Sequence, residues 1–186
     1  MTPEFTGFGK IPRLNRDCLI SEKIDGTNAG IRVTESGGIV VQSRKRVITV
    51  HADNFGFAEW AYSHEQAIID TLGVGMHFGE WWGAGIQRKY GRKDRQFSLF
   101  KVGVWRDVDL SHIPGLGVVP VLYEGPFDTD TVHDVVSDLA VNGSAAAPGF
   151  MDPEGVIVYH GAANSMFKVT CTDDAMPKST IPKEHS

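Results

Sequence analysis

The sequence predicts an α+β protein, with antiparallel β-sheets flanked by helices. Three observations carry this reading. Short apolar or alternating stretches recur along the chain. Two of them are joined by Glu35-Ser36-Gly37-Gly38, a turn that makes an antiparallel hairpin. Two longer stretches, 53–72 and 128–140, repeat apolar residues at helical spacing. With 186 residues and no internal repeat, the whole chain, 1–186, reads as a single domain with a real core.

Residues 1–16 hold Pro3, Gly7, Gly9 and Pro12 and form an irregular lead-in, with Phe5, Phe8 and Ile11 as candidate anchors. Residues 17–23 form a strand ending at Lys23, and 28–34 alternate as its expected partner. Ile39 to Ser43 returns from the hairpin turn, which would put Lys23 and Ser43-Arg44 at the edges of one sheet. Asp53 to Leu72 reads as one helix, with Asp53 as N-cap, Phe57, Ala61, Ile68 and Leu72 on its apolar face, and Gly73 as its stop. His64 on it is a surface or packing histidine. Residues 74–82 form an apolar strand containing one buriable carboxylate, Glu80. A charge there costs several kcal/mol unless partnered, which makes Glu80 a site candidate.

Gly83 to Asp94 is a glycine-rich basic loop, and Gln96 to Trp105 is a further strand. Residues 112–127, with three prolines, read as loop plus short strand. Asp128 to Ala140 is a second amphipathic helix, with Val132, Val135, Val136 and Leu139 on one face. After a small-residue loop, Asn142 to Pro153, come strands Glu154–Tyr159 and Met166–Cys171. The tail from Thr172, with Pro177 and Pro182, reads as frayed.

Composition narrows the function. The chain is 41% hydrophobic and 22% charged, ordinary for a globular protein. No run of 18 apolar residues exists to span a membrane, and Met1 to Phe5 lacks the basic start and apolar core of a secretory signal. Cys18 and Cys171 fit no metal spacing and read as reduced thiols of a cytoplasmic protein. The net charge of −5 argues against binding nucleic acid through overall charge. Local basic runs remain available at Arg44-Lys45-Arg46 and across Arg88, Lys89, Arg92, Lys93 and Arg95.

The stretch with the most chemistry is Glu22-Lys23-Ile24-Asp25-Gly26-Thr27-Asn28. A lysine on a strand that runs into an Asp-Gly turn can be a nucleophile; it can also be a plain solvated turn. As a nucleophile it requires carboxylates for a metal and a ribose, cations for phosphates, and an aromatic for a base.

Those residues are present, and in their order the chain resembles the covalent nucleotidyltransferase superfamily of ATP-dependent ligases and mRNA capping enzymes. Motif I is Glu22 to Asn28, followed by Ser43-Arg44. Motif III is Phe78-Gly79-Glu80, continuing as Gly83-Ala84-Gly85-Ile86-Gln87 and Tyr90-Gly91. Phe97 to Val102 resembles the adenine-stacking strand, Glu154-Gly155-Val156-Ile157 motif IV, and Phe167-Lys168-Val169 motif V. The likeness covers roughly residues 20–170 and is greatest to the RNA ligase 2 group, which includes phage nick-sealing and trypanosome RNA-editing ligases.

The resemblance implies an adenylation-domain fold and three phosphoryl transfers, in which positioning and charge neutralisation do most of the catalysis. A lysine attacks the α-phosphorus of ATP, the AMP passes to a 5′-phosphate end, and a 3′-hydroxyl attacks that end and releases AMP. Lys23 would be the nucleophile. A free lysine titrates near ~10.4, so cations and partial desolvation must favour the neutral amine. Lys168 and Mg²⁺ or Mn²⁺ would supply that field. Glu154 and Asp25 are the metal-side carboxylates, although Asp25 can instead cap the turn at Gly26. Glu80 would take the ribose hydroxyls, Glu22 the adenine amine, and Phe100 the adenine face, with Phe97 the fallback. Arg44 and Asn28 would touch phosphates. Arg32 and the 88–95 loop are weaker candidates for the RNA backbone.

The implied partner is RNA with 3′-hydroxyl and 5′-phosphate ends, nicked or single-stranded, with DNA an alternative and a monomer the expected state. Three departures stand out. Thr170 occupies the place of a second motif V lysine, Lys101 that of an aspartate, and no C-terminal OB or accessory domain is expected within 1–186. Capping enzymes usually have an arginine where this chain has Asn28, which favours a ligase. A catalytically idle nucleotide- or nucleic-acid-binding module is the competing reading from another class.

Overall fold

In a computed structural model that describes residues 4–172, two sheets make up the fold. The element order is β1 (Asp17–Lys23), β2 (Thr27–Val33), β3 (Ile39–Ser43), α1 (Phe57–Ser63), α2 (Glu65–Leu72), β4 (Gly75–Gly83), β5 (Arg95–Leu99), α3 (Val102–Trp105), β6 (Leu116–Val118), β7 (Val121–Pro126), α4 (Thr129–Asn142), β8 (Gly155–His160) and β9 (Ser165–Thr170). The first sheet runs β7-β1-β8-β9 and the second β3-β2-β4-β5-β6. All pairings are antiparallel except β5 with β6.

The sequence places β1 and β2 together as partners, and the structure separates them. β1 lies between β7 and β8, and β2 between β3 and β4. Lys23 therefore ends one sheet while Ser43 sits in the other. The hairpin reading was local and sound for β2 and β3 (Val33 opposite Ile39 through Ala29 opposite Ser43). Nothing in the alternation of residues 17–23 specifies which strand they pair with.

Ile24, Asp25 and Gly26 carry the chain from the first sheet to the second. The crossing is tight at Gly26, where a Cβ would lie 2.4 Å from the Trp81 carbonyl oxygen and 2.7 Å from Trp82 Cβ. The return crossing, Val119-Pro120, lies alongside: Glu22 N–H donates to the Pro120 carbonyl (2.9 Å) and Val119 N–H to that of Leu99 (3.1 Å).

Three buried clusters follow from this layout. Ile31, Val41, Ile48, Phe57, Ile68, Trp81, Phe97 and Leu99 pack the helices α1 and α2 onto the second sheet. Cys18, Ile20, Val156 and Val158 meet Val132 and Leu139 of α4 on the first. Ile24, Trp82, Tyr90, Val102 and Val119 fill the seam between sheets.

Several elements differ from the sequence reading. The expected helix 53–72 is two helices broken at His64. The His64 ring nitrogen Nδ1 sits 2.8 Å from the Trp60 carbonyl that a helical amide would use, and His64 N–H turns to Ala61 instead. The N-cap position falls at Gly56 rather than at the expected Asp53, whose carboxylate reaches in from upstream to accept from Ala58 and Glu59 N–H at the start of α1 (2.7 and 3.0 Å). The expected strand 96–105 ends at Leu99, and Val102 and Trp105 bury one face of a helical turn, a period that short apolar runs do not distinguish from a strand. Phe5, Phe8 and Ile11 anchor nothing and are almost fully exposed. The expected frayed tail lies outside the described residues beyond Thr172. Among the described residues no helix is long and apolar enough to cross a membrane.

Gly26→Ala should lower stability by about 1–3 kcal/mol, the usual penalty for forcing a methyl into packed space. Urea denaturation reads this as a lower midpoint at unchanged slope; a wild-type midpoint would contradict the packing at the crossing.

Candidate active site

The site forms where the first crossing leaves β1. Lys23 is the last residue of that strand, half-buried, with Gly155 beside it on β8 and Thr170 beyond on β9. Its Nζ lies 2.5 Å from Glu154 Oε2, an ion pair with a buried carboxylate. On the facing sheet, Glu80 and Asn28 are cross-strand neighbours on β4 and β2. Glu80 Oε1 accepts from Gly26 N–H (3.1 Å) and Oε2 from Asn28 Nδ2 (2.8 Å). Two amides of the crossing are thus held by side chains, Gly26 by Glu80 of β4 and Asp25 by Tyr90 of the loop between β4 and β5, whose Oη accepts from Asp25 N–H (2.7 Å).

Burial pushes the Glu80 carboxyl up to about 7, against the lowering effect of Lys23 and of the two hydrogen bonds. Burial likewise pushes the Tyr90 phenol above its usual range.

Asp25 and Glu154, both expected at a metal, sit in different settings. Asp25 Oδ2 accepts from Arg88 Nε (3.1 Å). Among the described residues no three His, Cys, Asp or Glu side chains converge as a metal cage. Mg²⁺ needs only one or two carboxylates beside water and phosphate oxygens, so Glu154 fits such an ion, whereas Asp25 is oriented by a guanidinium.

The structure brings together Lys23, Asp25, Asn28, Glu80 and Glu154. Lys168 lies on the same face as Lys23, in the row formed by Ser21, Ile157 and Lys168. It is exposed and two strands away, roughly 10 Å across the sheet. Phe100 follows β5, 41% exposed, opposite Phe78, whose carbonyl accepts its N–H (3.0 Å). The fallback, Phe97, is completely buried against Phe57 and Trp60 and presents no face to a ligand. Arg44 is exposed in the turn after β3.

Glu22 is not brought to Lys23's face. Strand alternation turns it the other way, and it is 1% exposed, accepting from Ser144 Oγ (2.6 Å) and Ala146 N–H (2.8 Å). The sequence reading put it on an adenine amine; here those two donors hold it in the loop after α4.

The 88–95 loop, read as a weak RNA contact, is largely occupied with protein. Arg88 bridges Asp25 and Asp152, Arg92 pairs with Asp94, and Arg95 donates to the Ala84 and Phe55 carbonyls. Sequence reasoning missed Arg88 and Tyr90 as parts of the site. Tyr90-Gly91 stood in the motif III extension, but nothing in the spacing showed that it would cover the motif I turn.

The Glu80 shift sets a pH dependence. Its folded-state value, about 7, exceeds the ordinary 4.5, so protonated Glu80 favours the folded state. That stability is fully present below about pH 4.5 and is lost as pH rises through 7. By the size of the shift it amounts to about 3 kcal/mol. Glu80→Gln should flatten the fall in denaturant midpoint between pH 5 and 8; an unchanged slope would show that Glu80 does not carry it.

Comparison with known proteins bears on the fold and the family. No curated protein is similar to the chain at a meaningful level. Three solved structures of a Naegleria gruberi RNA ligase are similar, all at 16% identity and a TM-score of 0.65. One is without ligand and covers 84% of this chain. A second, with ATP and Mn, covers 86%, and a third, with AMP and Mn, 84%. At this identity the likeness establishes the two-sheet α+β fold. The chain spans about half the length of those proteins (50–51%). The sequence profile of the RNA ligase family, in turn, matches residues 16–170, most of the chain. The chain belongs to the RNA ligase family.

Proposed function

We propose that this protein is an ATP-dependent RNA ligase of the RNA ligase 2 type, using residues 1–186 as one adenylation domain. The observation that carries the reading is the placement of Lys23. It ends β1 in the gap between sheets, paired with Glu154 and faced by Glu80 and Asn28. A nucleophile at the end of a rigid strand, with its surroundings fixed by hydrogen bonds, is what an in-line phosphoryl transfer requires.

In the first step Lys23 gives up its ammonium proton to solvent, its neutral Nζ bonds to the α-phosphorus of ATP as the bond to pyrophosphate breaks, and the nitrogen then loses a second proton. In the second, the P–N bond breaks as a 5′-phosphate oxygen takes the AMP. In the third, a 3′-hydroxyl attacks that 5′-phosphate and AMP leaves. Phe100 offers its exposed face to the adenine, and Ile157, on the Lys23 face of β8, offers a second apolar surface. Glu80 receives the ribose, and Asn28, Arg44 and Lys168 meet phosphates.

Mg²⁺ or Mn²⁺ supplies charge neutralisation at those phosphates, and Glu154 is the residue that would hold it. Asp25 stays with Arg88. The assignment of RNA rather than DNA rests on the family and on the motif III extension, Gly83 to Gln87 with Tyr90-Gly91.

Two experiments test this. Wild-type protein given labelled ATP and Mg²⁺ should retain label through denaturation, and Lys23→Ala should not; label on the mutant would sink the mechanism. Glu154→Ala should reduce adduct formation by about a hundredfold or more and flatten its dependence on Mg²⁺ concentration. An unchanged metal titration would move the ion elsewhere.

A further inference from the structure

Arg88 stands at a point where two parts of the site are joined. Its Nε is 3.1 Å from Asp25 Oδ2, and its Nη1 is 2.6 Å from Asp152 Oδ2 and 3.0 Å from the Asp152 carbonyl. Asp25 lies two residues after Lys23, and Asp152 two residues before Glu154. The guanidinium therefore spans the same gap that the Lys23–Glu154 pair spans, from the other side. A planar fork with fixed donor directions suits this, since two acceptors in different chain segments are held in one geometry.

The loop carrying Arg88 is built for that placement. Gln87, Lys89 and Tyr90 all have positive φ (43°, 60° and 49°) without being glycine, between Gly85 and Gly91 at 77° and 64°. Each such residue costs on the order of 1 kcal/mol or more and persists only when its surroundings impose it. What imposes it here is Tyr90. Its ring is buried against Trp82 and Phe150, and its hydroxyl accepts from Asp25 N–H. Tyr90 thus grips the backbone of Asp25 while Arg88 grips its side chain.

We infer that Arg88 is a positioning residue: the β1–β8 ladder sets Lys23 opposite Gly155, and by bridging Asp25 and Asp152 just beyond the ladder's end Arg88 fixes the segments on either side so that the Glu154 carboxylate stays on Lys23. Its part in adenylyl transfer rests on the function proposed above; its control of Lys23 does not. Desolvation and both carboxylates act on the guanidinium, and Asp152 with Asp25 holds it firmly charged.

The test uses the full chain and two readouts. The first needs no ATP: labelling of Lys23 by an amine-reactive ester, followed by mass spectrometry. Arg88→Met should raise labelling of Lys23 several-fold, as the amine escapes Glu154, with Arg88→Lys intermediate. The second is the single-turnover rate of label transfer from ATP. Arg88→Met should slow it about tenfold or more, with a much smaller change in the ATP concentration giving half the maximal rate.

Asp152→Asn, at an exposed carboxylate whose loss leaves the fold intact, should produce a smaller change of the same kind. The double variant should be no worse than Arg88→Met alone, since both act through one bridge. Unchanged Lys23 labelling in both single variants would overturn the inference. So would a normal adenylylation rate with loss confined to end joining and its salt dependence, which would make Arg88 a contact for the nucleic-acid backbone. If Arg88→Met does not fold, Asp152→Asn decides the matter by the same labelling. Absence of any adduct on wild type would remove the proposed function while the labelling still reports on the bridge.

Discussion

The crossing at Ile24, Asp25 and Gly26 is the constraint on which the site depends. A chain leaving one sheet for another must find partners for the amides it takes out of the ladder. Here the partners are Tyr90 Oη and Glu80 Oε1, one from the 83–94 loop and one from β4. Each therefore has a structural reason to be where it is, independent of any ligand. The absence of a side chain at Gly26 lets the crossing lie against Trp81 and Trp82, so that β2 starts beside β4. Lys23 is set by the same geometry, as the last residue before the turn.

The electrostatics of the site follow from this packing. Asp25, Glu80 and Glu154 stand around two cations, Lys23 and Arg88. Burial raises the Glu80 carboxyl toward neutrality, which relieves part of the like-charge crowding with Glu154. A triphosphate entering such a surround meets more carboxylate than ammonium. Under the proposed function this would call for a divalent ion at Glu154, and Arg44 and Lys168 lie on exposed positions from which long side chains can reach inward.

Much of this was legible in the sequence, for identifiable reasons. Glu80 stood out as a charged residue in an apolar strand, where burial would need a partner, Lys23 by its place before an Asp-Gly turn, and Glu154 by its place in the order of motifs. The helix α4 and the β2–β3 hairpin were legible because their periodicity and turn chemistry are local. Pairing of β1 was not, since alternation is the same for any neighbour. Glu22 illustrates a subtler limit: adjacency to Lys23 in sequence puts it on the opposite face of the strand, with Ser144, more than a hundred residues away, as its donor. Arg88 was readable as a basic loop residue and nothing more, because both of its carboxylate partners are remote in sequence. His64 broke a helix through a ring–carbonyl contact that no propensity scale contains.

The element order has a mechanical consequence. β1 belongs to one sheet, β2 to β6 to the other, and β7 to β9 to the first again. The backbone passes between the sheets twice among the described residues, and the two passages lie against each other, hydrogen-bonded from Glu22 to Pro120. The molecule is bound like a book along a double spine, and rotation about that spine is the motion that stretches the least backbone. Opposing it are side-chain ties between the covers, with the Arg88–Asp152 pair the one at the outer margin, where its carboxylate is already in water. Opening the site then takes the breaking of this solvated ion pair at the margin and of the buried seam of Ile24, Trp82, Tyr90, Val102 and Val119 behind it. The margin is therefore the weak end of the tie between the sheets and the seam its strong end.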